Sequence, residues 1–339
     1  MFVEAVAPSR IDLAGGTLDI YPLYLFEEGG ITVNMGIDVG SRVRITPRSD
    51  GAAHIRSVDT GAEQSAASVA ELELGGPLDL VARLLRFYAP ETGVNVETEN
   101  GPPKGSGLGA SSSLLVALSG ALNELNGSGF DGETLIRFGA DLEAQTIRIP
   151  TGKQDYYAAY YGGVSAIHWG IRRNEVRRLL VSEHSIEVLE RRLILSFTGI
   201  SHFSGASNWD MLRNYIENSG QTRDCLKRIS DTAHEMAAVL QAGDFNGFAG
   251  VLDREWQNRR SLAEGVSTPD IDAMMDAARD AGAMASKLCG AGGGGCMITF
   301  VEDGTQEAVK QSLIDHGARP IPFRISREGL QVRRGEAEG

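Results

Sequence analysis

The sequence predicts an α+β protein with two lobes, and three observations support that class. The first hundred residues contain short stretches of alternating or β-branched residues, which are typical of strands. Residues 110–147, 206–262 and 269–282 instead repeat apolar residues at helical spacing. The length of 339 residues exceeds the size at which a single hydrophobic core usually stays intact, so two lobes are expected.

The secondary-structure elements can be taken in chain order. The first hundred residues contain five predicted strands and one helix, namely FVEAVA, RIDLA, ITVNMGIDV, SRVRITP, the helix LDLVARLLRFYA and NVETEN. Later strands are predicted at GVSAIHW, RRLILSF, MITFV and IPFRISREGLQV, with a helix around TQEAVKQSLIDHG. The sequence contains no repeat and no long linker. We place the boundary between the lobes near residues 170 to 195 and divide the chain into residues 1–185 and 186–339.

Composition argues against several classes of function. The chain has 32 Lys and Arg against 45 Asp and Glu, and its net charge of -13 should repel nucleic acid and anionic membranes. Its three cysteines have no C-x-x-C spacing and no neighbouring His cluster, which argues against a zinc site or a disulfide framework. The N-terminus lacks a basic segment followed by a long apolar stretch, so we expect a cytoplasmic protein.

The strongest chemical signal is GPPKGSGLGASSSLLVALSGAL, where a Gly- and Pro-rich loop leads directly into a helix. A helix N-terminus carries unpaired backbone N–H groups and a partial positive charge, and Gly105, Gly107 and Gly109 would let a phosphate approach the backbone. The hydroxyls of Ser111 and Ser112 suit either a helix cap or the Mg²⁺ of a bound nucleotide. Alone, the segment is therefore either a capped turn or a phosphate-binding loop.

Two acidic residues downstream are candidate partners of this loop. Glu143 lies on the same apolar helical stripe as Ile136 and Ile147. Because a carboxylate is costly to bury unless it is paired or holds a metal, Glu143 is either an ion-pair member or a cation ligand. Asp155, in PTGKQDYYAAYYGG, is either half of a surface charge pair with Lys153 or a general base beside a charge-stabilising ammonium group.

A second glycine-rich segment, KLCGAGGGGCMITF, spans residues 287–300 and contains four consecutive glycines from Gly292 to Gly295. A turn between two strands does not require so many glycines. We interpret them as allowing close approach of a ligand or of another loop, with a flexible linker as the alternative.

Together, APSRIDLAGG, GPPKGSGLGASSS and KLCGAGGGGCMI resemble three motifs of the GHMP kinase superfamily, in this order and over nearly the whole chain. The resemblance implies a two-lobed GHMP kinase fold, with an N-terminal lobe like domain 2 of ribosomal protein S5 and a ferredoxin-like α/β sandwich as C-terminal lobe. It also implies an ATP-dependent kinase. The nucleotide-binding residues would be Pro103, Gly105, Ser106, Gly107, Leu108, Gly109, Ala110, Ser111 and Ser112.

In the magnesium-using kinases of this family, a serine of the second motif and a helix glutamate hold Mg²⁺. An aspartate about a dozen residues after that glutamate faces the substrate hydroxyl. Glu143 and Asp155 are 12 positions apart. The resemblance therefore implies a metal site of Ser111 and Glu143, with Ser112 as the rival serine, and makes Asp155 the base.

RIDLAGGTLDIYP and TGKQDYYAAYYGG are most similar to the family's sugar kinases, in the branch that includes D-glycero-D-manno-heptose 7-phosphate kinase and L-fucose kinase. This similarity implies that Arg10 orients Asp155 and that Lys153 assists catalysis. It implies substrate contacts by Asp19, Asp155, Gly162 and Gly293, with Asp19 accepting hydrogen bonds from sugar hydroxyls. GGTLDIYP departs from the usual aspartate motif of that branch, so the similarity does not identify the sugar.

The expected partner is a small sugar or sugar phosphate, with neither nucleic acid nor a membrane, and a homodimer is compatible with the sequence. LSFTGISHFSGASNWDM resembles the family's substrate-side loop and contains His202, an isolated loop histidine that we do not assign to catalysis. A mevalonate-type alcohol is the alternative acceptor. A nicotinamide-dependent oxidoreductase is disfavoured, because no G-x-G-x-x-G follows a strand at the start of a βαβ unit. A non-catalytic binder of sugar and nucleotide is the remaining alternative.

Overall fold

A computed structural model describes residues 1–27, 29–200 and 205–336, and the side chains of residues 205–207 lie outside that description. The strands are β1 (Phe2–Ala14), β2 (Ile31–Arg48), β3 (Ala53–Ser57), β4 (Glu63–Ala66), β5 (Gly93–Asn100), β6 (Val164–His168), β7 (Glu175–Arg178), β8 (Leu193–Phe197), β9 (Ala283–Leu288), β10 (Cys296–Val301), β11 (Arg319–Pro320) and β12 (Gln331–Gly335).

The α-helices of the described residues are spread over the whole chain. They are α1 (Leu23–Phe26), α2 (Asp79–Tyr88), α3 (Ala110–Asn126), α4 (Gly132–Ile147), α5 (Gln154–Tyr161), α6 (Glu183–Arg192), α7 (Gly205–Glu217), α8 (Thr222–Ala242), α9 (Phe245–Arg260), α10 (Pro269–Asp280) and α11 (Gln306–Asp315). None of the helices in the described ranges is both long and apolar enough to cross a membrane.

The strands form two sheets, and the predicted α+β class is confirmed. The first sheet has eight strands in the order β12-β1-β2-β5-β3-β4, with β6 paired to β2 and β7 to β6. The second has four antiparallel strands in the order β11-β8-β10-β9. Strands β1 to β7 of the first sheet end by Arg178, and the second sheet begins with β8 at Leu193. The division that we propose between residues 185 and 186 falls between them. The last strand, β12, returns to pair with β1 of the first sheet.

The predicted strands FVEAVA and RIDLA form one continuous strand, β1, and ITVNMGIDV and SRVRITP likewise form β2. Pro8 lies between the first two predicted strands and Gly40 between the other two. In the structure, the pairing register shifts between Ala7 and Ser9, and a β-carbon at Gly40 would collide with the Ala7 carbonyl. The proline is accommodated in a bulge of an unbroken hairpin, where its missing N–H group costs no ladder hydrogen bond.

The buried hydrophobic residues form two clusters, and the paired strands β1 and β2 contribute to both. Val3 of β1 belongs to the cluster that contains Leu115 of α3. Further along the same strand, Ile11 belongs to a second cluster with Leu252 of α9 and Phe300 of β10. The hairpin therefore fixes the position of the loop before α3 relative to the second sheet, and the candidate site is built at this junction.

Several elements were not predicted or were predicted wrongly. The strands β3, β4, β7 and β9 and the helices α1, α5 and α6 were not assigned from the sequence, and most of them are short. The predicted strand IPFRISREGLQV is mostly irregular. Its central residues instead bridge two elements, since Ser326 donates its N–H to the Gly36 carbonyl and accepts from the Gly163 N–H. Only its end joins β12.

Candidate active site

The loop of residues 101–109 leads directly into α3, as the sequence predicts. Gly109 is the residue before the helix and has a left-handed backbone with φ of 76°, and no side chain caps the helix. The first backbone N–H groups of α3 therefore lack a side-chain partner, which is the arrangement that binds phosphate at a helix N-terminus. The alternative of a serine-capped turn is wrong here, because the cap position is occupied by glycine.

The hydroxyls of the three serines at the start of α3 have two partners, Glu143 and the Ala7 carbonyl. Ser111 is exposed and donates to Oε1 of Glu143, and Ser112 is buried and lies 3.4 Å from Oε2 of the same carboxylate. The Ser113 hydroxyl donates to the Ala7 carbonyl at 2.7 Å, so it ties α3 to β1. Of these hydroxyls, the Ser111 group combines exposure with direct contact to Glu143.

Glu143 is buried on α4, only 5% exposed, and no basic side chain of the described residues pairs with it. Burial raises the pKa of its carboxyl group, while hydrogen bonds from Ser111 and Tyr156 oppose that shift. The ion-pair alternative therefore finds no partner in the described part of the chain. A buried carboxylate without a cation fits a Mg²⁺ ligand, because Mg²⁺ is typically held by one or two carboxylates together with the nucleotide phosphates.

The described residues contain no cluster of three or more His, Cys, Asp and Glu side chains that suits a metal ion. A metal at Glu143 would consequently depend on the Ser111 hydroxyl and on oxygens supplied by a nucleotide. This donor set is all oxygen, which Mg²⁺ prefers.

Asp155 and Arg10 form the polar centre of the site. The Arg10 guanidinium donates from Nε to Asp155 Oδ1 at 2.7 Å, and its Nη2 lies 2.6 Å from the same oxygen. Its Nη1 donates to the Gly107 carbonyl at 2.6 Å. Arg10 is almost fully buried, whereas the Asp155 side chain remains 21% exposed. Arg10 therefore fixes Asp155 relative to the phosphate loop and leaves part of the carboxylate open to a substrate.

Burial raises the pKa of the Asp155 carboxyl group above its usual value, Arg10 opposes that shift, and the nearby Asp12 adds to it. A carboxyl group with a raised pKa accepts a proton more readily near neutral pH. The surface-pair alternative is not what the structure contains, because the partner of Asp155 is Arg10 and not Lys153.

Lys153 is not brought to the Asp155 carboxylate. It precedes α5, and its ammonium group lies over the ring of Tyr24, 6.0 Å from the ring centre. Asp155 and Lys153 therefore diverge although they are two residues apart. No contact between Lys153 and Asp155 supports the predicted catalytic role of Lys153. That role stays a prediction.

Asp19 lies beside the start of α5 and is 2% exposed. Its oxygens accept hydrogen bonds from the backbone N–H groups of Thr17 at 3.1 Å and Gln154 at 3.0 Å. Burial raises its pKa to about 6, and the charges of Asp155 and Asp12 add to that effect. Asp19 therefore fixes the backbone next to Asp155, and its predicted contact with a sugar hydroxyl stays a prediction.

The glycine-rich segment of residues 287–300 packs against the phosphate loop. A β-carbon at Gly107 would lie 2.6 Å from the Cys289 carbonyl oxygen, and one at Gly290 would lie 2.9 Å from the Gly107 α-carbon. The Cys296 N–H group donates to the Ser106 carbonyl at 2.6 Å. The close approach predicted for this segment is therefore an approach of two loops, and the flexible-linker alternative is wrong.

The contacts of the other predicted substrate glycines go to residues other than Asp155. Gly162 ends α5 at the opposite end from Asp155, and its α-carbon packs against the backbone of Glu328. The Gly293 N–H group donates to the Val266 carbonyl at 2.8 Å. Their substrate contacts stay predictions. His202 lies outside the described residues.

One residue of the site was missed from the sequence. Tyr156 is fully buried on α5, and its hydroxyl donates to Oε2 of Glu143, on the opposite side of the carboxylate from Ser111. The tyrosine follows Asp155 directly, so α5 carries the Asp155 carboxylate and also binds the Glu143 carboxylate of α4 through Tyr156. The run of tyrosines in this segment was visible, but nothing in their spacing distinguishes Tyr156 from its neighbours.

Two family models match the chain. The model of the GHMP kinases N terminal domain matches residues 77–163, and that of the GHMP kinases C terminal domain matches residues 236–319. A D-glycero-alpha-D-manno-heptose 7-phosphate kinase from Campylobacter jejuni is 26% identical over 335 residues, 97% of this chain and 98% of that protein. A mevalonate kinase from Methanothermobacter thermautotrophicus is 28% identical over 266 residues, 77% of this chain and 80% of that protein.

The fold is also similar to a solved structure. The crystal structure of a D-glycero-D-manno-heptose 1-phosphate kinase from Bacteroides thetaiotaomicron matches with a TM-score of 0.80 and 26% identity. The match covers 99% of this chain and 100% of that one.

Proposed function

The chain belongs to the GHMP kinase family and has its two-sheet fold, and from this premise we propose that it transfers the γ-phosphoryl group of ATP to a hydroxyl group of a sugar or sugar phosphate. The observation that carries the proposal is the pair of Arg10 and Asp155. It places a partly exposed carboxylate beside an uncapped helix N-terminus.

The phosphate loop supplies most of the nucleotide site. The free N–H groups at the start of α3 and the open backbone of the glycine loop would bind the phosphates of ATP. Glu143 and Ser111 would hold Mg²⁺, which would neutralise charge on the phosphate oxygens. Phosphoryl transfer requires mainly positioning and charge neutralisation, because its transition state spreads negative charge over the transferred group.

Asp155 acts as the base in this proposal. The acceptor oxygen attacks the γ-phosphorus, its proton passes to the Asp155 carboxylate, and the bond between the γ-phosphorus and the bridging oxygen breaks to release ADP. Arg10 holds the carboxylate through Oδ1, which leaves Oδ2 for the acceptor. Because Arg10 also binds the Gly107 carbonyl, it fixes the base relative to the phosphate loop.

The sugar phosphate acceptor is supported by the heptose phosphate kinases among the similar proteins. Asp19 would contribute to acceptor binding in two ways. It fixes the backbone at Gln154, and it would accept a hydrogen bond from a sugar hydroxyl of the acceptor. A mevalonate-type alcohol is the second acceptor class, favoured by the mevalonate kinase match.

The experiment that tests the proposal measures ADP release from Mg·ATP with a panel of acceptors. The panel contains hexoses, fucose, heptose 7-phosphate, heptose 1-phosphate and mevalonate, and ³¹P NMR identifies the product. We expect a sugar or sugar phosphate to give the highest kcat/KM. Turnover with mevalonate alone would transfer the proposal to the second acceptor class. ATP binding without turnover on any acceptor would instead support a non-catalytic binder.

A further inference from the structure

Four charged side chains lie buried behind the phosphate loop, and the proposed mechanism does not use them. They are Asp12 of β1, Glu255 and Arg259 of α9, and Lys287 of β9, and none is more than 3% exposed. We call them the buried quartet. Because replacing buried ion pairs by apolar side chains is often neutral or stabilising, stability alone does not account for them.

The contacts of the buried quartet lead to the backbone of two glycine-rich loops. Glu255 accepts the Gly15 N–H group at 3.0 Å. Lys287 lies 3.0 Å from Asp12 Oδ2 and donates to the Asp12 carbonyl at 2.8 Å. Arg259 donates from Nη2 to the Gly290 carbonyl. The quartet therefore joins the loop after β1 to the glycine-rich loop after β9.

Arg259 makes few contacts for a buried arginine. Its Nε and Nη1 atoms have no hydrogen-bond partner among the described residues, and Nη1 lies 4.0 Å from Asp12 Oδ2. A β-carbon at Gly16 would lie within 2.6 Å of Nη1, so the missing side chain at Gly16 makes room for the guanidinium. Its one hydrogen bond in the described structure goes to Gly290.

Gly290 leads from Arg259 to the nucleotide site. Its α-carbon packs on the backbone of Gly107, where a β-carbon at Gly290 would come within 2.9 Å of the Gly107 α-carbon. The Gly107 carbonyl in turn accepts a hydrogen bond from Arg10, the partner of Asp155. The contacts from Arg259 to the phosphate loop thus pass through backbone only, which cannot adjust as a flexible side chain would.

We infer that Arg259 is a positioning residue for the nucleotide. It holds the glycine-rich loop against the back of the phosphate loop and so fixes the N–H groups that receive the phosphates. The inference rests on the proposed function, because it assumes that ATP binds at this loop. In this proposal Arg259 acts from behind the loop, through Gly290, and not by touching ATP or the acceptor.

The test compares Arg259→Met with Arg260→Met by calorimetry with a non-hydrolysable ATP analogue. Arg260 follows on the same helix and pairs with Asp272 at 2.8 Å in a partly exposed position. Losing the charged hydrogen bond to Gly290 should weaken analogue binding about ten-fold or more. The KM for the acceptor should stay unchanged, and Arg260→Met should bind the analogue like the wild type. A general loss of packing would not separate the two ligands in this way.

A double-mutant cycle makes the test independent of how well Arg259→Met folds. Arg259→Lys keeps the positive charge facing Asp12 but loses the planar fork, and Gly290→Ala disturbs the contact with Gly107 directly. Because both changes act on the same chain of contacts, which passes through Gly290, their effects on analogue binding should be clearly less than additive. Gly304→Ala is the control, since Gly304 also has a positive φ but no atom within 4 Å of an added β-carbon.

Two outcomes would overturn the inference alone, and a third would overturn the proposed function with it. In the first, the wild type binds the analogue and neither substitution at Arg259 weakens binding, so Arg259 does not position the loop while the proposed function stands. In the second, the effects of Arg259→Lys and Gly290→Ala simply add. A wild-type protein that does not bind the analogue at all would overturn the proposed function and this inference together.

Discussion

Gly109 and Asp155 are packed so closely that a β-carbon at position 109 would lie 2.9 Å from the Asp155 carboxylate carbon. The residue that precedes the phosphate-binding helix and the proposed base are thus in direct contact. This contact explains why a glycine precedes α3 where a serine cap would otherwise be favoured.

Gly109→Ala should therefore impair catalysis as well as stability. The added methyl group must displace Asp155, and a shift of about 1 Å in a reacting group costs up to about a hundred-fold in rate. Steady-state kinetics at saturating ATP and acceptor measures this loss. Gly127→Ala is the matched control, because Gly127 ends the same helix with φ of 62° and has no atom within 4 Å of an added β-carbon.

Both variants carry the backbone strain of a non-glycine residue in the left-handed region, about 1 kcal/mol. Thermal unfolding should show that loss of stability in both. A Gly109→Ala enzyme with the kcat of Gly127→Ala would contradict the proposed contact between the loop and the base.

Tyr156→Phe should weaken Mg²⁺ binding in the presence of an ATP analogue. Its hydroxyl holds Oε2 of Glu143 while Oε1 faces the exposed Ser111, so the tyrosine sets which oxygen is turned toward a metal. Loss of a partner that orients a metal ligand typically costs ten-fold to a hundred-fold, roughly, in metal affinity. Calorimetric titration with Mg²⁺ measures the change without depending on turnover.

Tyr157→Phe provides the comparison for this measurement. The Tyr157 hydroxyl binds Glu133 at 3.0 Å, on the same helix as Glu143 but away from Ser111. The Tyr157→Phe substitution should therefore leave the Mg²⁺ affinity unchanged. Equal effects of both substitutions would mean that neither tyrosine acts through Glu143.

The stability of the protein should fall as the pH rises from about 4.5 to about 7, in part because of Glu255. Burial is the main cause that raises the pKa of its carboxyl group from 4.5 to about 7, against Lys287 and Arg259. The folded state then binds a proton that the unfolded state has released, so the stabilisation is complete below pH 4.5 and is lost as the pH rises through 7.

Glu255→Gln should remove this contribution, which is on the order of 3 kcal/mol across that range. The amide retains an oxygen for the Gly15 N–H group and can donate to the hydroxyl of Thr232, which binds Glu255 in the wild type. Urea unfolding at a series of pH values measures the slope. A Glu255→Gln slope identical to that of the wild type would show that Glu255 does not titrate in this interval.

The resemblance to the GHMP kinases was the informative part of the sequence for the site. It implied that Arg10 meets Asp155 and that Ser111 meets Glu143, and the structure brings both pairs together, whereas the residues alone left other partners open. The long helices α3, α4 and α8 were predictable from the residues themselves, because their apolar periodicity is strong.

Other contacts between distant segments could not be predicted in this way. Nothing in the sequence indicates that Arg259 reaches Gly290, or that Gly295 packs on the backbone of the phosphate loop at Ser106. Lys153 was expected to join its neighbour Asp155, but α5 begins between them and turns the two side chains apart. Short elements such as β3 and α1 carry too few residues for a periodic signal.

The proposed role of Asp155 as the base is tested by the activity of Asp155→Asn on the acceptor that the wild type phosphorylates best. Removing a positioned general base typically lowers turnover by about a hundred-fold to ten-thousand-fold, while binding of the ATP analogue should stay close to that of the wild type. Thermal unfolding checks that Arg10 tolerates the loss of its partner. An Asp155→Asn enzyme that is folded and keeps wild-type kcat would contradict the role of Asp155 as the base.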